Sequence, residues 1–262
     1  MLNLHPKEPL AVTTVEAIRN GDLEALKGLL SENPSLATAR IGETGNRPEA
    51  SGVSRTLLHV ATDWPGHFPN GAATVATLIA YGAEVNARCT GSHTETPLHW
   101  AASSDDVAVL DALLDAGADI EAPGAVIGGG TPLADAVAFG QWQAARRLVQ
   151  RGARTTLWQA AALGLLDRIQ EHFATDLPAP SELTSAFWCA CHGGERRCAE
   201  YLLSRGADVN WVGYDGLTPL DAARRGRSPA LVDWLLTMGA KAAEGLHRGA
   251  DALGTGRGNL EK

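Results

Sequence analysis

Several side chains in this sequence have types and spacings that could do chemistry. Cys189 and His192 stand three residues apart, so on a helix they share a face, and with an acid such as Asp135 behind them they resemble a nucleophile with its base. A nucleophile also needs an oxyanion hole, and no motif supplies one. That leaves Asp135 and His192, with Cys189 beside them, as candidates for non-covalent acid–base chemistry. His59, Asp63 and His67 have the spacing of metal ligands over one or two helical turns, but Trp64-Pro65-Gly66 should end the helix before His67. Cys189, Cys191, His192 and Cys198 include zinc-ligand types, yet positions two apart on a helix diverge. We therefore expect reduced, buried thiols, no metal and no cofactor. The run Gly128-Gly129-Gly130 lacks the Lys-Ser/Thr and the preceding strand of a phosphate loop. It reads as a hairpin loop that needs positive φ.

The elements that must position these residues announce themselves by repetition. Thr96-Pro97-Leu98-His99-Trp100-Ala101-Ala102 recurs as Thr131-Pro132-Leu133-Ala134-Asp135-Ala136-Val137 and as Thr218-Pro219-Leu220-Asp221-Ala222-Ala223, and more loosely from Thr56. About twenty residues after each start, a Leu-rich segment closes at Gly-Ala, as in Gly82-Ala83, Gly117-Ala118, Gly152-Ala153, Gly206-Ala207 and Gly239-Ala240. Thr can cap a helix whose first turn holds Pro. A second helix such as Val107–Ala116 has apolar residues at three- and four-residue spacing, and Gly117 should end it in the left-handed conformation. Neither helix could bury its apolar face alone, so the units must stack.

This pattern resembles the ankyrin repeat family, whose signature is T-P-L-H-x-A in a unit of about 33 residues. The resemblance covers roughly residues 12–241. It implies an all-α solenoid of about seven helix-turn-helix units with hairpin-like loops. The units fall near 12–40, 56–87, 96–122, 131–154, 155–184, 185–212 and 218–241, starting at Thr56, Thr96, Thr131, Thr155, Ser185 and Thr218 after an N-terminal cap. Residues 1–11 form an N-terminal extension, Ile41–Ser54 a long loop, and residues 242–262, with five Gly, a disordered tail. The unit from Thr56 carries an insertion, Trp64–Gly71, and no hairpin follows Gly152.

In the resembled family the first helices line a concave groove, so equivalent positions should form stripes there. The N-terminal end reads as acidic and polar (Asp63, Ser103, Ser104, Asp105, Asp106), the middle as apolar (Phe139, Leu163), and the C-terminal end as basic (His192, Arg224, Arg225, Arg227). Such a gradient could orient a bound segment, although local pairing of these charges explains them equally well. Asp135 and Gln159 interrupt a column that is otherwise apolar, flanked by Trp100 and Cys189. Half-buried polar groups there need partners or mark a site. Trp64 and Trp100 lie near the groove, whereas Trp158 and Trp188 take the place of the family's His and should fill space between units. His59 and His99 keep that His, which implies a structural bond to a neighbouring hairpin.

The remaining composition fits a binding module. The 262 residues have a net charge of −8, which disfavours a nucleic-acid partner. No apolar run is long enough to span a bilayer, and the N-terminus shows no signal peptide, so a cytoplasmic monomer is expected. Arg outnumbers Lys 18 to 4, a bias associated with high-GC bacterial genomes. The sequence thus predicts a module that recognises a protein or peptide through Asp63, Trp64, Trp100, Ser103, Ser104, Asp135, Phe139, Gln159, Leu163, His192 and Arg225. The alternative is a small-molecule site or enzyme around Asp135, His192 and Cys189.

Overall fold

The computed structural model describes residues 2–42, 54–91 and 93–246. Residues 43–53 of the expected loop and 247–262 of the expected tail lie outside them. The chain divides into two compact units, residues 1–154 and 155–262.

The first unit opens with a two-residue strand β1 (Asn3–Leu4) and the helices α1 (Pro9–Asn20) and α2 (Leu23–Glu32). Strands β2 (Arg40–Ile41) and β3 (Arg55–Thr56) follow. β1 runs parallel to β2, and β2 antiparallel to β3, so part of the expected extension and the start of the expected long loop, Ile41, are tied into one small sheet, while Ser54 at the loop's other end bridges Thr90. Three helix pairs complete this unit: α3 (Leu57–Ala61) with α4 (Gly71–Ala80), α5 (Pro97–Ser103) with α6 (Val107–Asp115), and α7 (Pro132–Ala138) with α8 (Trp142–Gln150). First helices pack on first helices, α3 on α5 on α7, and second helices on second helices, α4 on α6 on α8. Fully buried Leu57, Leu78, Leu98, Leu110, Leu133 and Leu148 alternate between the two layers. Small buried residues such as Ala101 and Ala136 let the first helices approach closely.

The second unit repeats the plan with α9 (Leu157–Ala162) and α10 (Leu166–Thr175), α11 (Pro180–Gly193) and α12 (Arg196–Leu203), and α13 (Pro219–Arg225) and α14 (Pro229–Thr237). Its core gathers Phe187, Ile169, Leu202, Leu220 and Leu235 around Ala160, Ala190 and Ala199. Two expected starts move. The cap of α9 is Thr156, not Thr155, and α11 begins at Pro180, five residues before Ser185, because Pro at the first helical position starts a longer helix. At its far end Gly193 is required by space: a Cβ there would collide with the Ala162 carbonyl of α9.

The closing glycines have a different reason. Gly82, Gly117, Gly152, Gly206 and Gly239 sit at φ between +81° and +101°, and no atom lies within 4 Å of where a Cβ would stand. Torsion alone selects glycine there.

Candidate functional site

The third residue of α3, α5, α9 and α13, and the ninth of the longer α11, sets up the hydrogen bonding at the repeat starts. The Thr56 and Thr96 amides donate to Nδ1 of His59 (3.3 Å) and His99 (3.1 Å), which makes each Nδ1 an acceptor. Nε2–H is then free to donate to the carbonyl that precedes the next repeat, Glu95 O at 3.0 Å and Gly130 O at 3.4 Å. Burial pushes both imidazoles down to about 4, so they are neutral donors at pH 7. Trp188 takes the same place in the second unit and does more than fill space: its Nε1–H donates to Leu217 O at 2.9 Å. Asp221 reverses the polarity, accepting from Thr218 Oγ1 at 2.8 Å and from the Ala243 amide at 2.8 Å. Gln159 belongs to this series rather than to the groove. It is buried, and its Oε1 accepts the Thr156 amide at 2.8 Å. The later start of α9 therefore gives Gln159, not Trp158, the place of the family's His.

Asp135 is fully buried, 0% exposed, on α7. Its Oδ1 accepts a long bond of 3.4 Å from the Ile127 amide in the Pro123–Gly130 hairpin, while Oδ2 has no hydrogen-bond partner. The neighbouring acid is Glu95, itself buried and bonded by the Trp100 side chain. Burial first, and repulsion from Glu95 second, push Asp135 up to about 7. Glu95 escaped the sequence reading. The signal was an acid immediately before Thr96, where the other T-P-L starts have Gly130 and Leu217.

The acidic end of the expected groove is consumed internally. Asp63 accepts from Arg55 at 2.7 Å and Arg19 at 3.2 Å. Asp105 accepts the Ala144 amide at 2.6 Å. Asp106 is buried, capping α6 through the Val109 amide at 3.2 Å and accepting the His67 amide at 2.7 Å. Ser104 is buried and donates to Thr62 O; Ser103 is half-buried, its hydroxyl without a partner. Local pairing, the competing reading, describes these residues. Leu163 is buried too and leaves the surface list.

At the basic end Arg225 pairs with Asp215 at 2.6 Å and lies 5.9 Å over the Trp188 ring. His192 stacks obliquely on Trp188 at 5.5 Å. Tyr214 meets Trp188 and Trp211 edge-on at 5.1 and 5.8 Å, and its hydroxyl bonds Ser185 at 2.9 Å. Arg224 approaches Asp221 at 3.7 Å, and Arg227 is exposed.

The thiols do not suit catalysis. All four cysteines are free and buried. Burial pushes Cys189 up to about 12 and Cys191 further still, the opposite of an activated thiolate. Among the described residues no group of three or more His, Cys, Asp or Glu is placed to hold a metal ion. None of the described helices is long and apolar enough to cross a membrane.

Large apolar side chains stay exposed in both units. Trp64 is 76% exposed and Phe139 48%, each eight residues after the starting threonine of its repeat. Trp100, expected beside them, is half-buried with its ring edge-on to His59 at 5.0 Å. Val126 and Ile127 project from the hairpin over Asp135, and Val212 and Tyr214 from the hairpin of the second unit.

The family comparison agrees with this architecture. The family model described as ankyrin repeats (three copies) matches residues 14–124, 58–159 and 157–244. No curated protein sequence matches the chain. Among solved structures, the crystal structure of the human ASB11 ankyrin repeat domain aligns over 87% of this chain and 98% of its own length, with 22% identity and a TM-score of 0.49. The family matches together run from residue 14 to residue 244, and the chain belongs to the ankyrin repeat family.

Proposed function

We propose that this chain is a non-enzymatic module that recognises a partner protein or peptide through the exposed apolar positions of its first-helix ends and hairpin tips. Ankyrin repeats are generally protein–protein interaction modules, which is the coarse part of this reading. The observation that carries the finer part is the exposure of Trp64 and Phe139 on one recurring stripe whose polar member between them, Ser104, is buried and bonded to Thr62 O. Rigid aromatic side chains held in water without internal partners suit binding hot spots. Arg225, with a guanidinium fixed by Asp215 and Trp188, offers a positioned donor in the second unit. The test is comparative capture from cell lysate by wild type and by a Trp64→Ala, Phe139→Ala, Arg225→Ala variant of unchanged helicity. Loss of a captured protein supports the reading, and an unchanged set overturns it.

A small-molecule site around Asp135, Cys189 and His192 has less support. Asp135 is enclosed at 0% exposure, and Cys189 is a buried, protonated thiol.

A further inference from the structure

The least comfortable group in the described chain is the Asp135 carboxyl. Oδ2 is buried without a donor, although buried polar atoms are almost always paired. Its neighbour Glu95 is also an acid and also buried. Two carboxyl groups in one apolar pocket cannot both ionise cheaply, and the usual resolution is one proton between them. A proton on Asp135 would convert the orphaned oxygen into a donor to Glu95. Burial raises Glu95 as well, but in the pair it would be the acceptor, bonded by Asp135 and by Trp100, the two bonds that favour its charged form.

We infer that Asp135 and Glu95 share one proton, and that this proton holds the Pro123–Gly130 hairpin closed, so that its loss frees the Val126–Ile127 tip. The hairpin is the part able to yield. Asp135 sits on a packed helix, and the Glu95 backbone is fixed by its carbonyl accepting from both Cys89 N and His59 Nε2. The hairpin covers Asp135 through the 3.4 Å Ile127 bond and ends in Gly128, Gly129 and Gly130. Lifting it would admit water to two carboxylates at little backbone cost.

The other charged and titratable groups around the pair do not reproduce this behaviour. From the α5 side, beyond Glu95 and Trp100, His93 acts on Glu95 from a distance and favours its ionisation. His99 donates to Gly130 O at the base of the hairpin but stays neutral throughout, being pushed down to about 4. Arg88, a permanent cation, bonds Thr94 O and Pro123 O and anchors one end of the hairpin at every pH. The hairpin itself presents to Asp135 the amides of Val126 and Ile127. These favour ionisation, but burial and Glu95 outweigh them.

The sign follows from the direction of the shift. Asp135 is raised from its ordinary value of 3.8 to about 7, so the proton's contribution to closure is full below about pH 4 and is lost progressively as pH rises from there through 7. The experiment is amide exchange of residues 124–130 between pH 5.5 and 8.5, corrected for intrinsic chemistry, with carboxyl carbon NMR titration of Asp135 alongside. We expect hairpin protection to fall about tenfold between pH 6 and 8 in wild type, and Asp135 to titrate near 7. The Asp135→Asn variant, which keeps a donor for Glu95 at every pH, should show no such fall. Uniform protection across the range, or titration of Asp135 near 4, would overturn the inference. Should Asp135→Asn fail to fold, the wild-type titration and exchange decide it alone.

Discussion

The residue that bonds the start of its own repeat or the turn after it is histidine in two repeats of the first unit, His59 and His99, whereas in the second unit it is Gln159, Trp188 (the ninth residue of the longer α11) and Asp221. His59 and His99 donate Nε2–H to a carbonyl of the following turn, and Trp188 donates Nε1–H to the equivalent carbonyl. Asp221 faces an amide instead, and an acceptor stands there. The position therefore asks for a hydrogen-bonding group that matches the neighbouring backbone, not for an imidazole. Ala134, which offers no such group, occurs in the repeat after which the sequence has no hairpin to reach.

The comparison can be broken most forcefully at Trp188. Trp188→Ala removes a buried ring and the bond to Leu217 O, and should destabilise by about 3–5 kcal/mol in urea unfolding, whereas Trp188→His should recover part of that loss. If Trp188→His is no better than Trp188→Ala, packing alone explains the position. In the first unit, His59→Phe keeps volume but removes the acceptor of the Thr56 amide and one of the two donors to Glu95 O, which keeps Cys89 N, at a cost of about 1–2 kcal/mol.

The same histidines predict acid sensitivity. Their values are lowered from 6.5 to about 4, so the unfolded chain binds more protons between those limits and stability falls as pH drops through that window. His59→Gln, which keeps a donor without a titration, should remove on the order of 2 kcal/mol of that acid loss, read as a smaller drop in thermal midpoint between pH 7 and 4.5. Asp135 acts in the opposite sense. Its value is raised from 3.8 to about 7, so Asp135→Asn should gain stability at pH 8 relative to wild type, on the order of 1–2 kcal/mol, less at pH 5 and none below about pH 4. The smallest effect belongs to the partly exposed pair of Arg19 with Asp63. Arg19→Ala should cost less than about 1 kcal/mol, because Arg55 still holds the carboxylate and solvent screens the loss.

Much of the fold could be read from spacing because each repeat carries its own cap, proline and closing glycine. The T-P-L starts at Thr96, Thr131 and Thr218 are helix caps in the structure. Reading failed where local signals competed. Adjacent Thr155 and Thr156 can each cap a helix, and the Gln159 side chain settles the matter in favour of the second. The repeat spacing places a start at Ser185, but Pro180 starts the helix earlier. The candidate site was less legible. Column arithmetic found the anomalous Asp135 and the exposed Trp64 and Phe139, since those depend on position within a repeat. It could not find Glu95, whose significance lies in a neighbour forty residues away. Nor could it find the arginines that neutralise Asp63, because ion pairing depends on side-chain reach across repeats.

The five closing glycines have a consequence for chirality. Each needs a left-handed backbone and each has open space where a side chain would begin. A mirror-image residue prefers that torsion and meets no clash. D-alanine introduced by chemical ligation at Gly117 or Gly206 should fit as it stands and stabilise the fold by about 0.4–1 kcal/mol, by restricting the unfolded chain. L-alanine at the same atoms should destabilise. Handedness, rather than size, is what these joints read.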